Sequence, residues 1–321
     1  MKLTSNYSLK KPDGSDVVNV QDFNDNSDKI DLELKNVDSQ LKENTQHLSQ
    51  ISNPNLFING DFIINQREQS IYTLTGISNY TVDRWISYNL TDDITEVVKL
   101  DKGIKLLSKS GGSARLRQTF ESDMTNRLKE KTVTFSMKVI KDCSMVALTV
   151  TKSKNITGFS KGFNNVKAGT ILTHTFMITN DYENLGIQFS TNDTNGLEVE
   201  WVKLELGSVA TPFIPRSYGE ELALCQRYYQ KIKNMRYRIS TFSSTVLSTC
   251  IQHSFEMRIS PSISLYNVEL RTTNGIKQDG FVYNVVAVDK NKFIVDSTKT
   301  SHGLNDGTLF ATNIVLDAEI Y

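Results

Sequence analysis

The sequence predicts a mainly β protein, in which an N-terminal trimeric coiled coil leads into a jelly-roll-like β-sandwich and a smaller C-terminal β-domain. Three observations predict it. Residues 23–51 contain neither Gly nor Pro and keep a heptad rhythm. From residue 55 onward the chain is rich in Thr, Val, Ile, Phe and Tyr, the residues that fit a pleated, half-buried surface. Turn pairs such as Asn59-Gly60, Gly111-Gly112, Asn195-Gly196, Asn274-Gly275 and Asp306-Gly307 punctuate that region. The boundaries fall at 1–22, a polar segment; 23–53, the helix; 54–216, the sandwich; and 217–321, the last β-domain.

Bulk properties set limits on this scheme. At 321 residues the chain is long for one core and suits two domains plus an extension. Lysine and arginine total 36, as do aspartate and glutamate, so net charge gives no basis for wrapping a polyanion, and nucleic acid is not expected as a partner. Cys143, Cys225 and Cys250 form no CxxC pair and match no zinc spacing; buried free thiols are expected. The opening MKLTSNYSLKKPDG has no apolar h-region, and no run approaches the ~18 apolar residues of a membrane helix. The chain is therefore expected to be made and folded in a cytoplasm, without membrane insertion.

Residues 1–22 carry a turn signal at Lys11-Pro12-Asp13-Gly14, have no core of their own, and are expected to be disordered or loosely held until they dock. In the helix, apolar or small residues fall at Phe23, Ser27, Ile30, Leu34, Val37, Leu41, Asn44, Leu48 and Ile51, in alternating steps of four and three. Ser27, Leu34, Leu41 and Leu48 take position a; Phe23, Ile30, Val37, Asn44 and Ile51 take d. Leucine at a with β-branched residues at d disfavours dimers. Asn44 is the one amide in the seam, where it costs stability and pins register. Charged flanks leave a stripe narrower than a globular helix needs, so the partner is expected to be the chain itself, as a homotrimer.

Beyond the helix, strands are expected at Leu56–Ile64, Arg84–Tyr88, Thr95–Leu100, Gly103–Leu107, Ala114–Phe120, Thr132–Ile140, Met145–Thr151, Thr170–Ile178, Leu185–Ser190 and Leu197–Leu206. In the last of these the apolar phase switches at Trp201-Val202, which signals a bulge. The C-terminal domain opens with a short helix, Gly219–Ile232. Strands follow at Tyr237–Leu247, Cys250–Glu256, Ser262–Leu270, Gly280–Asp289, Lys292–Asp296 and Leu309–Tyr321.

Little chemistry is visible. There is no Gly-rich phosphate loop, GxSxG or HExxH, and His47, His174, His253 and His302 share no motif. Asp92-Asp93 and Glu220-Glu221 read as solvated carboxylates, and Thr191–Gly196 reads as a polar hairpin turn in preference to a Ca²⁺ loop. No catalytic residue, metal ligand or cofactor site is expected. Trp85 and Trp201 are expected in the core. Lys231, Lys233, Arg236 and Arg238 alternate as on a solvent-facing strand, with an anionic surface polymer as the sharper alternative.

Some segments carry a resemblance. Asn55–Phe62 (NLFINGDF) with Asn65-Gln66-Arg67, then Tyr80–Trp85 (YTVDRW), resembles the opening of tail-fibre sandwich domains. Leu204–Phe213 (LELGSVATPF), Pro215–Glu221 (PRSYGEE) and Leu224–Tyr229 (LCQRYY) are similar to a block of phage and phage-tail-like bacteriocin fibres. Asn6–Pro12, Val17–Val20 and Phe23-Asn24 resemble the particle-proximal end of fibres from phages of Gram-positive hosts. The resemblance covers most of residues 1–230.

It implies a homotrimeric receptor-binding fibre of a virion or tail-like particle, and no catalytic residue. Residues 1–22 would attach to a tail or baseplate protein. Residues 54–216 would form a carbohydrate-binding-module-like sandwich, and the distal β-domains would hold a bacterial surface glycan or surface-layer protein. Rival readings are a tail depolymerase or a spacer without a receptor site. Within the motifs, Asp61 is expected to pair with Arg67, and Asp83 with Arg84. For the receptor, the candidate loops Tyr266-Asn267, Thr272–Asp279 and Thr298–Asp306 offer Tyr266, Asn274, Gln278, His302, Asn305 and Asp306, a ring plus short polar groups that suit a sugar.

Overall fold

The computed structural model describes residues 2–17, 19–50, 52–75, 78–87, 94–109, 111–153, 156–241, 243–253, 255–304 and 308–320. They fall into two compact units, Met1–Asn53 and Pro54–Tyr321.

In the first unit, strands β1 (Lys2–Leu3) and β2 (Lys10–Lys11) pair antiparallel ahead of helix α1 (Val20–Gln50). The Asn19 side chain accepts the Asp22 N–H at 2.9 Å, and Asp22 lies in the first turn, where the helix dipole favours negative charge. Polar bonds clip the described part of residues 1–22 to the helix. The Asn26 amide accepts from the Lys10 N–H (2.7 Å) and donates to the Lys10 C=O (2.9 Å). Lys10 Nζ also lies 2.8 Å from Asp22 and reaches Asp25. Along α1, Phe23, Ile30, Leu34, Val37 and Leu41 are 45–64% exposed, so much of the heptad stripe is accessible to a partner helix. Asn44 is exposed too; the Leu48 side chain and Ile51 lie outside the described residues.

The second unit opens irregularly. Leu56–Ile64 is not the expected strand, because Asn59 (φ +58°) and Phe62 (φ +60°) take left-handed backbone. Strands β3 (Ile71–Thr75), β4 (Asn79–Tyr80), β5 (Ile86–Ser87), β6 (Ile94–Lys99), β7 (Ile104–Ser108) and β8 (Ala114–Thr119) follow. A helix not foreseen, α2 (Ser122–Leu128), precedes β9 (Lys131–Val139), β10 (Cys143–Ser153), β11 (Ile156–Val166), β12 (Ile171–Ile178), β13 (Gly186–Thr191) and β14 (Leu197–Leu206). They build two six-stranded sheets, ordered β12-β9-β14-β7-β6-β3 and β11-β10-β13-β8-β5-β4. From β7 to β14 consecutive strands switch sheets, except for the β10–β11 hairpin, which is the strand order of a jelly roll. Trp85 lies in the core between them, with no exposed surface, its ring 5.3 Å from Phe57, 5.2 Å from Phe62 and 5.6 Å from Phe189. The expected bulge in β14 is present as a register shift against β9 between Val199 and Trp201.

Helix α3 (Tyr218–Gln226) starts at a Ser217/Glu220 capping box. It stops short of the expected Ile232 because the backbone from Tyr229 onward pairs antiparallel with Leu309–Asp317. Strands β15 (Tyr229–Arg238), β16 (Ser240–Thr241), β17 (Val246–Gln252), β18 (Ser262–Arg271), β19 (Lys277–Gln278), β20 (Val282–Val288), β21 (Lys292–Thr298) and β22 (Leu309–Asp317) form a second sandwich. Its sheets are β15-β22-β18-β19 and β16-β17-β21-β20, closed over Leu247, Phe293, Phe310 and Leu316. Cys143 and Cys225 are buried as expected, whereas Cys250 is exposed because it falls on an outward position of β17.

Candidate functional site: the joint and its cleft

Within Pro54–Tyr321, the segments Asn55–Arg67, Tyr80–Trp85 and Leu224–Tyr229 come together where the two sandwiches meet. Asn59 organises the first. Its amide donates to the carbonyls of Ile64 (2.8 Å) and Asp83 (2.9 Å) and accepts the Ile64 N–H (2.9 Å), while its own carbonyl takes the Trp85 indole N–H at 2.8 Å. At Gly60 a side chain would meet the Val202 carbonyl at 2.7 Å, which explains glycine there.

Four charged residues then lock the joint. Arg84, 2% exposed, reaches Glu319 at 2.6 Å, donates to the Thr119 carbonyl at 2.9 Å and stacks on Tyr228 at 3.5 Å. Arg67 lies 3.5 Å from Asp83 and 3.7 Å from Glu319, with Tyr229 3.8 Å from its guanidinium. The expected pairs Asp61–Arg67 and Asp83–Arg84 are therefore not the ones formed. Successive side chains point apart, and Arg84 has a left-handed φ of +70°, so Asp83 turns to Gln66 and Arg67 while Arg84 turns to Glu319. Burial pushes Asp83 up to about 6, against the opposing pull of Arg67 and Gln66. Burial disfavours the Arg84 charge, but Glu319 together with Tyr80 and Tyr228 outweighs it and holds Arg84 above its ordinary range. Burial also drives the Cys225 thiol well above its ordinary value, which removes it as a nucleophile.

The block after β14 is a strap. Lys203 and Glu205, essentially without exposed surface, lie 3.1 Å apart on the outer face of their sheet. The strap covers them: Lys203 donates to Thr211 Oγ1 (2.6 Å) and the Pro212 carbonyl (3.0 Å), and Glu205 accepts the Thr211 N–H at 2.8 Å. Phe213 stacks on Trp201 at 4.8 Å, so Trp201 is half-buried under the strap and not in the core as expected. Arg216 ends the strap on Glu221 (3.0 Å) and the Phe57 carbonyl (3.1 Å).

Beside the joint lies a cleft of about 610 Å³. Its walls include Arg67, Asn79 and Tyr80 from the first sandwich and Lys231, Lys233, Tyr266 and Asn313 from the second. Strands β15 and β18 both bulge where they flank Asn313, with register shifts between Ile232 and Met235 and between Tyr266 and Glu269. Asn234 and Asn267 in these bulges are left-handed, and the Asn234 N–H donates to Asn313 Oδ1 at 2.8 Å. Tyr266 is thus in a strand and not in a loop at the domain's end. Asn274, in the β18–β19 turn, and Gln278, in β19, lie at the opposite end of the sandwich, as the pairing of Arg271 with Leu309 requires. His302 is at that end as well. Its Nδ1 accepts the Leu304 N–H at 3.0 Å, its Nε2 is 3.0 Å from the Ser243 carbonyl, and its ring packs by Phe281, so both nitrogens are engaged. Asn305 and Asp306 lie outside the described residues. Asn79 and Asn313 gave no sequence signal. The basic alternation at Lys231 and Lys233 did, but not that it faces another domain. At Thr191–Gly196, Asp193 accepts the N–H groups of Ser144 (2.6 Å) and Asn195 (2.8 Å), a capped polar turn.

No family model matches the chain, and no curated protein matches it. Among solved structures it is similar to the enzymatically active domain of tailspike protein 4 of bacteriophage CBA120, at 13% identity and a TM-score of 0.28 over 48% of this chain and 21% of that one. The chain thus spans about a fifth of that tailspike structure. It is also similar to the tandem CBM22 domains of Paenibacillus barcinonensis Xyn10C (11% identity, TM-score 0.27, 78% of this chain and 90% of that one). A third is discoidin II of Dictyostelium discoideum (13%, 0.19, 80% and 90%). At TM-scores this low, none of them assigns a function. Among the described residues, no helix is long and apolar enough to cross a membrane.

Proposed function

We propose that this chain is the subunit of a homotrimeric tail fibre. In this reading its N-terminal segment attaches to a tail or baseplate, and its β-domains hold a bacterial surface glycan or surface-layer protein without cleaving it. The observation that carries the proposal is the stripe Phe23, Ile30, Leu34, Val37 and Leu41, 45–64% exposed on a helix of 31 residues. Such a helix gains stability by burying its seam against copies of itself, at ~25 cal/mol per Å² of apolar area. Leucine at a with β-branched residues at d favours three strands or more over two. The fibre-like motifs of residues 1–230 supply the particle context.

Light scattering on the intact chain tests the assembly: three subunits are expected, and a monomer at micromolar concentration overturns it. Incubation with host cell-wall polysaccharide tests the role. Retention without chain shortening is expected; shortening assigns a depolymerase, and neither outcome assigns a spacer.

A further inference from the structure

We infer that the cleft between the sandwiches binds a sugar unit carrying a phosphate or carboxylate group, through Lys231, Lys233, Tyr266, Asn79 and Asn313. This rests on the receptor-binding reading and gives it a site and a ligand chemistry.

The charge argument comes first. Arg67, Lys231 and Lys233 line the cleft, and no carboxylate is among its described lining residues. Arg67 is already committed to Asp83 and Glu319, so the two lysines are the cations a ligand can recruit. Both are held at the rim by Glu68, at 2.9 and 2.5 Å, but that carboxylate is 48% exposed. Exposed pairs of this kind hold weakly, so a ligand anion can displace Glu68. Lysine is a point charge that accepts phosphate or carboxylate alike.

Hydrogen-bonding capacity points the same way. Asn313 spends its Oδ1 on the Asn234 N–H, and Asn79 spends its Oδ1 on the Tyr80 N–H at 2.8 Å. Each is left with an NH₂ group, a donor suited to hydroxyl or phosphate oxygens. Tyr266 is 53% exposed and offers a ring face, the apolar element that sugar recognition needs. A volume of about 610 Å³ falls within the ordinary range for small-ligand sites. The paired bulges and the stacked Arg67 hold these groups on strands, so little ordering remains to be done on binding.

The test is calorimetric titration of the full chain with N-acetylglucosamine 1-phosphate, glucuronic acid and N-acetylglucosamine, at low and high salt. Both charged sugars are expected to bind about tenfold or more tightly than the neutral one, with the advantage shrinking in salt. Comparison of the two charged sugars identifies the preferred anion. Lys231→Gln with Lys233→Gln should erase the advantage, and Tyr266→Ala should weaken every sugar that binds. Glu68→Gln should tighten the charged sugars severalfold, because it frees both lysines; damage to the fold cannot produce a gain. The inference is overturned if charged and neutral sugars bind alike, or if Glu68→Gln leaves charged-sugar affinity unchanged. If no sugar binds while the protein still coats host cells, the cleft assignment fails and the fibre reading stands. If cell binding is lost as well, both fail.

Discussion

Asp83 takes a carboxylate into a site where none of its side chain is exposed, flanked by Arg67 and by the like charge of Glu319. Its folded value of about 6 lies above the ~3.9 of an unfolded aspartate. Between those values the folded chain holds more protons than the unfolded one, so stability rises as pH falls through 6 and levels off near 4. The displacement corresponds to roughly 3 kcal/mol. Thermal unfolding of the wild type and Asp83→Asn should therefore diverge: the wild type gains stability from pH 7.5 to 5 relative to the variant. Parallel curves would sink the assignment. The partners of Arg67 and Arg84 were not legible in the sequence, because adjacency suggested Asp83 for Arg84. The partner, Glu319, is 235 residues away, and no spacing rule reaches that far.

At the scale of elements, the sequence was legible wherever one period governs. The helix, the strands with clean alternation and the β14 bulge all follow from local pattern. The Leu56–Ile64 segment did not, since its apolar residues anchor a left-handed turn, and the strap did not, since its order comes from Lys203 and Glu205 beneath it. That buried pair makes a prediction. Glu205→Ala leaves the Lys203 ammonium uncompensated and should cost roughly 3–5 kcal/mol in urea unfolding. Lys203→Met combined with Glu205→Leu should recover most of the loss, because no charge is then buried. A double variant no better than the single one would mean that the strap depends on the charges. On α1, Leu34→Asp with Leu41→Asp places carboxylates in the proposed seam, and the light-scattering mass should fall to that of one subunit. Retention of the higher mass would place self-association elsewhere.

For the whole molecule, residues 54–321 form one compact unit that holds two β-sandwiches, and the coupling between them was not readable from the sequence. The coupling closes over the longest separations in the chain. Glu319 binds Arg84 and lies by Arg67, and Tyr80 donates its hydroxyl to the Ile320 carbonyl. Two hydrophobic cores are thus tied by buried charge, and residues 54–321 should unfold as one cooperative unit. Both tryptophans, Trp85 and Trp201, lie in the first sandwich, so fluorescence reports on that half while circular dichroism reports on both. In the wild type the two signals should share one urea midpoint. Glu319→Ala leaves Arg84 buried without its carboxylate, a loss on the order of 3–5 kcal/mol concentrated at the joint. The second sandwich, with the smaller core, should then melt first, and the dichroism transition should begin below the fluorescence transition. Separate midpoints in the wild type, or coincident and unshifted midpoints in Glu319→Ala, would show that the joint does not couple the domains. The same logic constrains any exchange of the C-terminal sandwich for a different β-domain. A graft that supplies no carboxylate at position 319 should fail to dock on the first sandwich, whatever receptor it recognises.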